Sequence, residues 1–304
     1  MNDTRSSPKS RPPSPLPTGL PNERRPLIMG ILNLTPESFS DGGRFFRGDS
    51  VDPQAVAAGA LAMARAGADI VDIGAEATSF HRPGITPTPP EEQIRRMGDA
   101  LLQTRRELDD SGFSAVAISI DTRSAGVAEA ALDRGAAIIN DVSGGCSDAA
   151  MLPLAARAGC PIILMHAWPE SGDQPPGPRL DVVSDVIKEL SQMKAAALAA
   201  GVKPDRVILD PGIGFGKASD DNWQILRKLG DLDALGCPIA IGFSRKRLTC
   251  DLLPPHLRDW QHRDIASAIL LSAVHHPTAA VYRVHDVVLT AVARAALQRM
   301  GRRV

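Results

Sequence analysis

The chain has 304 residues, 43% hydrophobic and 23% charged, with a formal net charge of −1, enough for one large single-core domain or two smaller ones. That balance gives no reason to expect nucleic acid or an acidic membrane surface as a partner, and no apolar run approaches the roughly 18 residues that a membrane span needs. Four cysteines, Cys146, Cys160, Cys237 and Cys250, form no C-x-x-C pair and read as reduced, buried thiols of a cytoplasmic protein.

Residues 1–25 carry prolines at positions 8, 12, 13, 15, 17 and 21 among Ser, Arg and Lys, the composition of a disordered tail. The prolines oppose the amphipathic helix of a transit peptide, and there is no apolar stretch for secretion. From residue 26 to the end the pattern changes to one repeating strand–helix alternation. Residues 27–32 are an apolar strand ending at Asn33, followed by turn-rich sequence that includes Asp41, and 51–66 is an alanine-rich helix stopped by Gly67. Residues 69–73 are a second strand leading to Glu76 and Thr78; a proline-rich loop with Arg82 precedes a helix over 91–108. The third strand, 116–120, ends at Asp121 with a helix over 125–134 behind it, and the fourth, 137–139, ends at Asn140.

The second half continues in kind. Strand five, 161–165, closes with Met165 and His166, and a polar loop precedes a helix over 181–200. Strand six, 207–209, delivers Asp210 into Pro211-Gly212-Ile213-Gly214-Phe215-Gly216-Lys217, where proline stops the strand and glycine lets the loop approach a ligand closely. A helix over 222–235, strand seven over 238–242 with Ser244-Arg245-Lys246, a helix over 264–274, strand eight over 280–284 with His285, and a last helix to about residue 300 complete the chain. Eight such units in this length fit a (β/α)8 TIM barrel in a single domain, 26–304, better than a doubly wound sheet. The barrel would gather the strand-end groups Asn33, Glu76, Asp121, Asn140, His166, Asp210, Ser244 and His285 at one mouth.

Two populations stand out there. Asp121, Asn140 and Asp210 would enter the pocket, where carboxylates and an amide facing N–H groups would read a polar heterocycle, or Asp121 and Asp210 cap the helices that follow. Phe215 either joins the core or packs on a flat ring. Lys246, Arg283 and His285 are cationic candidates after strands seven and eight, where this fold commonly binds phosphate. The apolar run around Arg283 predicts partial burial and so an anionic partner. Arg82 is a further cation, and Lys246 alternatively a solvated surface lysine. Asn33 with Asp41 could hold Mg²⁺ through oxygen. No zinc cluster and no Ser-His-Asp order is readable. The residues describe a pocket for a polar planar ring on one side and an anion on the other, suited to a transferase or lyase acting on a phosphorylated heterocycle.

Taken together, Asn33-Leu34-Thr35-Pro36-Glu37-Ser38-Phe39-Ser40-Asp41-Gly42-Gly43, the Asp121-Thr122 strand end, Ile139-Asn140-Asp141-Val142-Ser143-Gly144-Gly145, residues 209–217, Ser244-Arg245-Lys246 and Arg283-Val284-His285-Asp286-Val287 resemble the dihydropteroate synthase family over about residues 26–298. The resemblance implies condensation of 6-hydroxymethyl-7,8-dihydropterin pyrophosphate with p-aminobenzoate in folate biosynthesis. It implies pterin contacts from Asp121, Asn140, Asp210, Phe215 and Lys246, a substrate contact from Met165, and pyrophosphate contacts from Arg283 and His285. Asn33 would serve Mg²⁺, and Asp41 would act from a first loop that closes over the site. Catalytic roles are thus implied for Asp41, Lys246, Arg283 and His285, and substrate contacts also for Thr78 and Arg82. A homodimer is implied too. The chain departs from the family's Ser-Thr-Arg-Pro-Gly after strand two, because Ser79-Phe80-His81 separates Thr78 from Arg82; the longer loop is expected to alter recognition of p-aminobenzoate and sulfonamides. Ala167-Trp168-Pro169 also replaces the family's usual Met-Gln-Gly after strand five. A pterin-binding corrinoid methyltransferase and a non-catalytic pterin-binding barrel are the alternative readings.

Overall fold

The computed structural model describes residues 25–35, 45–48, 50–76, 87–169, 177–277 and 279–300. Eight parallel strands close into one barrel: β1 (Leu27–Asn33), β2 (Ile70–Gly74), β3 (Ala117–Asp121), β4 (Ile138–Asp141), β5 (Ile162–Met165), β6 (Val207–Asp210), β7 (Ile239–Ile241) and β8 (Ala279–Val284). They pair in chain order, with β8 returning to β1. This is the expected TIM barrel.

The strands look continuously apolar because both faces are buried, yet alternation still separates them. Ile28, Leu32, Val71, Ile73, Ile118, Ile120, Leu164, Leu209 and Tyr282 belong to the large core shared with the helices. Leu27, Met29, Ile70, Ile138, Ile163, Ile208, Ala240 and Val281 form a separate cluster plugging the barrel. Two residues further along the same inward faces stand Asp72, Asn140, Met165, Asp210 and Arg283. The polar mouth therefore rests on an apolar floor.

The helices begin and end for local reasons. In α1 (Pro53–Ala66) the Asp52 side chain accepts from the backbone N–H groups of Gln54 and Ala55, and Gly67, at φ 103°, closes the helix. The expected start at Val51 gives way to this cap, and Val51 instead pairs in a short antiparallel ribbon with Phe46. The single helix expected over 91–108 is two, α2 (Pro90–Met97) and α3 (Ala100–Asp110), because Gly98 takes φ 42°, ψ −125°, a backbone setting that breaks helical hydrogen bonding. A helix not anticipated from sequence, α5 (Met151–Ala158), follows α4 (Ala125–Leu132). Beyond α6 (Val182–Ala199), the helix expected over 222–235 is α7 (Ser219–Arg227) followed by a 3₁₀ stretch, Leu229–Leu235. After the short α8 (Arg247–Cys250), α9 (Trp260–Ala273) starts four residues early because Asp259 caps it through the His262 N–H; α10 (Val287–Arg299) is capped by Asp286.

At the opposite end of the barrel Asp69 collects three donors. Arg25 donates to both its oxygens (2.7 and 2.9 Å), Arg294 Nη1 to Oδ2 at 2.6 Å, and the Ile28 N–H to Oδ2 at 2.9 Å. Arg25, assigned from sequence to the tail, is thus fastened to the barrel; residues 1–24 lie outside the described residues. All four cysteines are free, as expected, but only Cys160 and Cys237 are buried. Cys146 is exposed because it follows Gly145 in the loop after β4 rather than facing a core.

Candidate active site

One register row crosses the mouth: Asn33 is opposite Gly74, Gly74 opposite Asp121, and Asp121 opposite Asn140. Gly74 supplies no side chain to this row. A Cβ there would sit 3.3 Å from Asp121 Cβ and 3.7 Å from Asn33 Oδ1, so glycine keeps a gap open between the amide and the carboxylate. Across the barrel Met165 is opposite Asp210. Met165, Phe215 and Val142 make a small apolar cluster separate from the main core, which gives the mouth one greasy wall beside its acids.

Arg283 ties the polar side together. Its Nε donates to Asp72 Oδ2 at 2.7 Å and its Nη2 to Asp121 Oδ2 at 2.5 Å, while Asn140 Nδ2 donates to the same Asp72 oxygen at 3.0 Å. Asp72 is fully buried, and its Oδ1 has no hydrogen-bond partner among the described residues. Burial disfavours the Arg283 charge, but Asp72 and Asp121 outweigh it and hold the guanidinium protonated more firmly than usual. For Asp121 burial dominates; Arg283 opposes it while Asp72, Asp141 and Glu76 add to it, and the carboxyl is pushed up to about 7. Asn140 directs its amide nitrogen to Asp72, which leaves its carbonyl oxygen and second N–H for other partners. Asp72 was not singled out in the sequence. The available signal was an acid in the middle of Ile70-Val71-Asp72-Ile73, on the same face as Ile70 and Gly74.

The loop after β6 brings in the second half of the site. Gly212, Gly214 and Gly216 all have φ between 63° and 82°, which any other residue would adopt at a cost of about 1–2 kcal/mol. Sterics bar substitution as well: a Cβ on Gly212 would lie 1.7 Å from the His166 carbonyl oxygen, and one on Gly216 2.2 Å from that of Trp168. Asp210 accepts the Gly212 N–H at 2.6 Å, and burial raises its pKa against the pull of Lys246. Lys246 Nζ donates to the Ile213 carbonyl at 2.7 Å and lies 4.2 Å from the Phe215 ring centroid. Burial pushes this lysine down to about 7, opposed chiefly by Asp210. It is not a solvated surface lysine.

The turn that delivers Lys246 is strained. Arg245 is the one non-glycine at positive φ (58°) among the described residues; its guanidinium makes a two-pronged pair with Asp264, and Arg263 donates to its carbonyl. Ser244 accepts the His285 N–H at 3.2 Å and lies 3.1 Å from His285 Nδ1. Burial, then Arg245, Arg283, Lys246 and Arg263, hold His285 well below its ordinary pKa, so its ring is neutral in a cationic corner. Gly242 leaves space in that corner, since a Cβ would stand 3.5 Å from Arg283 Cβ and 3.9 Å from Lys246 Nζ.

The barrel thus gathers Asn33, Asp121, Asn140, Met165, Asp210, Phe215, Lys246, Arg283 and His285. Neither Asp121 nor Asp210 caps a helix: the first holds Arg283 and the second a loop N–H. The expected ring of strand-end groups is incomplete, because two of them are engaged in holding loops. Glu76 pairs with Arg123 and accepts the Thr88 N–H; His166 bonds Glu189 and Lys217. Asp41, Thr78 and Arg82 lie outside the described residues. Among the described residues no group of three His, Cys, Asp or Glu could hold a metal. Mg²⁺ asks for less: it keeps waters and commonly takes one or two protein oxygens plus substrate phosphates. The Asn33 amide oxygen, facing the gap that Gly74 leaves, fits that requirement.

Comparison with known proteins agrees with this geometry. The model of the pterin binding enzyme family matches residues 29–285. The dihydropteroate synthase of Mycobacterium leprae (strain TN) is 42% identical over 268 residues, covering 86% of this chain and 88% of that protein. The structure of Xanthomonas albilineans dihydropteroate synthase with 4-aminobenzoic acid superposes with a TM-score of 0.73 at 36% identity, covering 91% of this chain and 93% of that one. That of the Anaplasma phagocytophilum enzyme with bound 6-hydroxymethylpterin-monophosphate gives a TM-score of 0.77 at 31% identity, covering 91% and 99%. This chain belongs to the dihydropteroate synthase family of pterin-binding enzymes.

Proposed function

We propose that this chain is the transferase of folate biosynthesis that joins 6-hydroxymethyl-7,8-dihydropterin pyrophosphate to p-aminobenzoate, forming 7,8-dihydropteroate. The observation that carries the reading is the division of the mouth into an acid–amide side (Asp121, Asn140, Asp210) and a cationic side (Lys246, Arg283, His285) around the apolar wall of Met165 and Phe215. A pterin edge rich in N–H groups suits the first, and a pyrophosphate the second. In the reaction the bond from the pterin methylene carbon to the pyrophosphate oxygen breaks, the electron pair leaving with pyrophosphate. The aryl amine nitrogen forms the new C–N bond and releases a proton. Arg283 and Lys246 stabilise the charge that develops on the leaving group, where fixed cations in a water-poor site are most effective.

Arg283 is shared. Drawn toward a pyrophosphate, it relaxes its hold on Asp121, whose carboxylate then accepts the ring N–H; Asp72 keeps the guanidinium in place. Asn33 would hold Mg²⁺, which supplies charge neutralisation to the pyrophosphate oxygens. Asp41, Thr78 and Arg82 belong to the same reading as loop residues that complete the site, with Arg82 adding a cation and Thr78 near the amine substrate. A cytoplasmic location is part of it too: among the described residues no helix is long and apolar enough to cross a membrane, and the cysteines are free.

The homodimer rests on an apolar face. Ile265 and Ile269 on α9 and Val288 and Val292 on α10, each pair one helical turn apart, are 45–64% exposed on adjacent helices. Four branched aliphatics facing water on neighbouring helices suit a second copy of the same face.

Purified protein given pterin pyrophosphate, Mg²⁺ and p-aminobenzoate is expected to release pyrophosphate and form dihydropteroate in equal amounts. Pterin binding with neither product would leave a binding protein. Lys246 must be cationic to hold the leaving group, and it loses its proton with rising pH. The kcat/KM profile should therefore fall on the alkaline side well below the ordinary lysine value of 10.5, and Lys246→Arg, which cannot titrate, should abolish that fall; an unchanged alkaline limb in the variant would remove Lys246 from the role. Sedimentation should show a dimer that Ile269→Asp converts to monomers, whereas a monomeric parent protein would exclude the assigned face.

A further inference from the structure

Lys217, the last residue of the glycine loop, plays no part in the chemistry above, yet it is one of the most enclosed cations in the chain, 7% exposed. Its Nζ lies 2.9 Å from His166 Nδ1 and donates to the carbonyls of Gly212 (2.9 Å), Phe215 (3.2 Å) and His166 (3.3 Å). It therefore ties the loop after β6 to the end of β5. The histidine is itself fixed: His166 Nε2 meets Glu189 Oε2 at 3.0 Å, and Trp168 Nε1 donates to Glu189 Oε1 at 3.1 Å. Because the carboxylate accepts, the ring proton sits on Nε2 and Nδ1 is free to accept from Lys217. Trp168 packs edge-on against His166, with Arg179 stacked 3.6 Å above its ring.

The loop's carbonyls are divided between two lysines. Those of Gly212 and Phe215 point to Lys217, and that of Ile213, between them, points to Lys246. The positive φ at Gly212, Gly214 and Gly216 makes this division possible. We propose that Lys217 is a positioning residue for pterin pyrophosphate binding. By gathering the carbonyls on one side of the loop it presents the Ile213 carbonyl and the Phe215 ring to Lys246, and so sets where the Lys246 ammonium meets the substrate. The inference deepens the reading of the site given above and rests on it.

Electrostatics agree with an enclosed strap. Burial, opposed first by Asp210, pushes Lys217 down to about 7, and burial together with Lys217 pushes His166 down to about 4. The charged groups facing Lys217 are Asp210, Lys246, Glu189 and Arg179, with His166 held neutral beside it. Without the Lys217 charge and its hydrogen bonds the loop relaxes, water reaches Lys246, and Lys246 keeps its proton to higher pH.

The test is Lys217→Met, which preserves length and removes the ammonium, compared with the parent protein in steady-state kinetics across pH. The expected result is a KM for pterin pyrophosphate raised at least tenfold, a KM for p-aminobenzoate within twofold of the parent, and an alkaline limb of kcat/KM moved up by a pH unit or more. A lowered melting temperature with both KM values and the limb unchanged would make Lys217 a purely structural residue and overturn the inference. Should Lys217→Met fail to fold, Glu189→Gln loosens the same strap from its partly exposed end. It should move the limb in the same direction by a smaller amount, and an unmoved limb would count against the strap. Calorimetric titration with pterin pyrophosphate separates this inference from the reaction itself: if the parent protein forms no dihydropteroate but binds the pterin, a tenfold weaker affinity in Lys217→Met still supports the strap, and equal affinity refutes it.

Discussion

A guanidinium enclosed at the mouth of a barrel cannot stand without anions, since breaking a buried ion pair costs about 3–5 kcal/mol. Arg283 meets this requirement with Asp72 and Asp121, and Asp72 in turn fixes Asn140. One cation thus orients an acid and an amide at the mouth of the barrel. The arrangement depends on the closed barrel. Asp72, Asp121, Asn140 and Arg283 come from β2, β3, β4 and β8, and only closure brings the last beside the first two. The plug of Leu27, Met29, Ile70, Ile208 and Val281 beneath them excludes water from below, which is what gives the charges above their strength.

The other half of the mouth follows a different principle. There the backbone, not a side-chain ion pair, is the scaffold: with three left-handed glycines in the loop, the Gly212 and Phe215 carbonyls reach Lys217 and the Ile213 carbonyl reaches Lys246. Asp210 is the chief charge opposing the burial of Lys246, while Lys217 is spent on the loop itself. The two halves meet at Gly242, whose absent side chain leaves space between Arg283 and Lys246.

Much of this was legible in the residues before any coordinates. Eight apolar runs each followed by a polar residue specify the barrel and its mouth, and Asp121, Asn140, Asp210, Lys246, Arg283 and His285 stand where that pattern puts them. What stayed hidden depended on partners distant in sequence. Asp72 passed unmarked because its cation, Arg283, lies 211 residues away. Lys217 looked like a loop terminus because His166 is 51 residues before it. Glu76 and His166 carried the right position but the wrong destination, since Arg123 and Glu189, not the pocket, claim them. Gly98 divided one periodic helix into two through a single backbone angle that apolar spacing does not register.

In the proposed reaction Arg283 couples the two halves: pyrophosphate takes the guanidinium, and Asp121 is released to the ring. Calorimetry can measure this coupling directly, by titrating 6-hydroxymethyl-7,8-dihydropterin into the protein with and without saturating pyrophosphate, Mg²⁺ being present in both. Reciprocal coupling through one shared residue predicts pterin binding about tenfold tighter when pyrophosphate is present. An affinity that is unchanged or weakened by pyrophosphate would show that Arg283 does not link the acids to the anion, and would contradict the account.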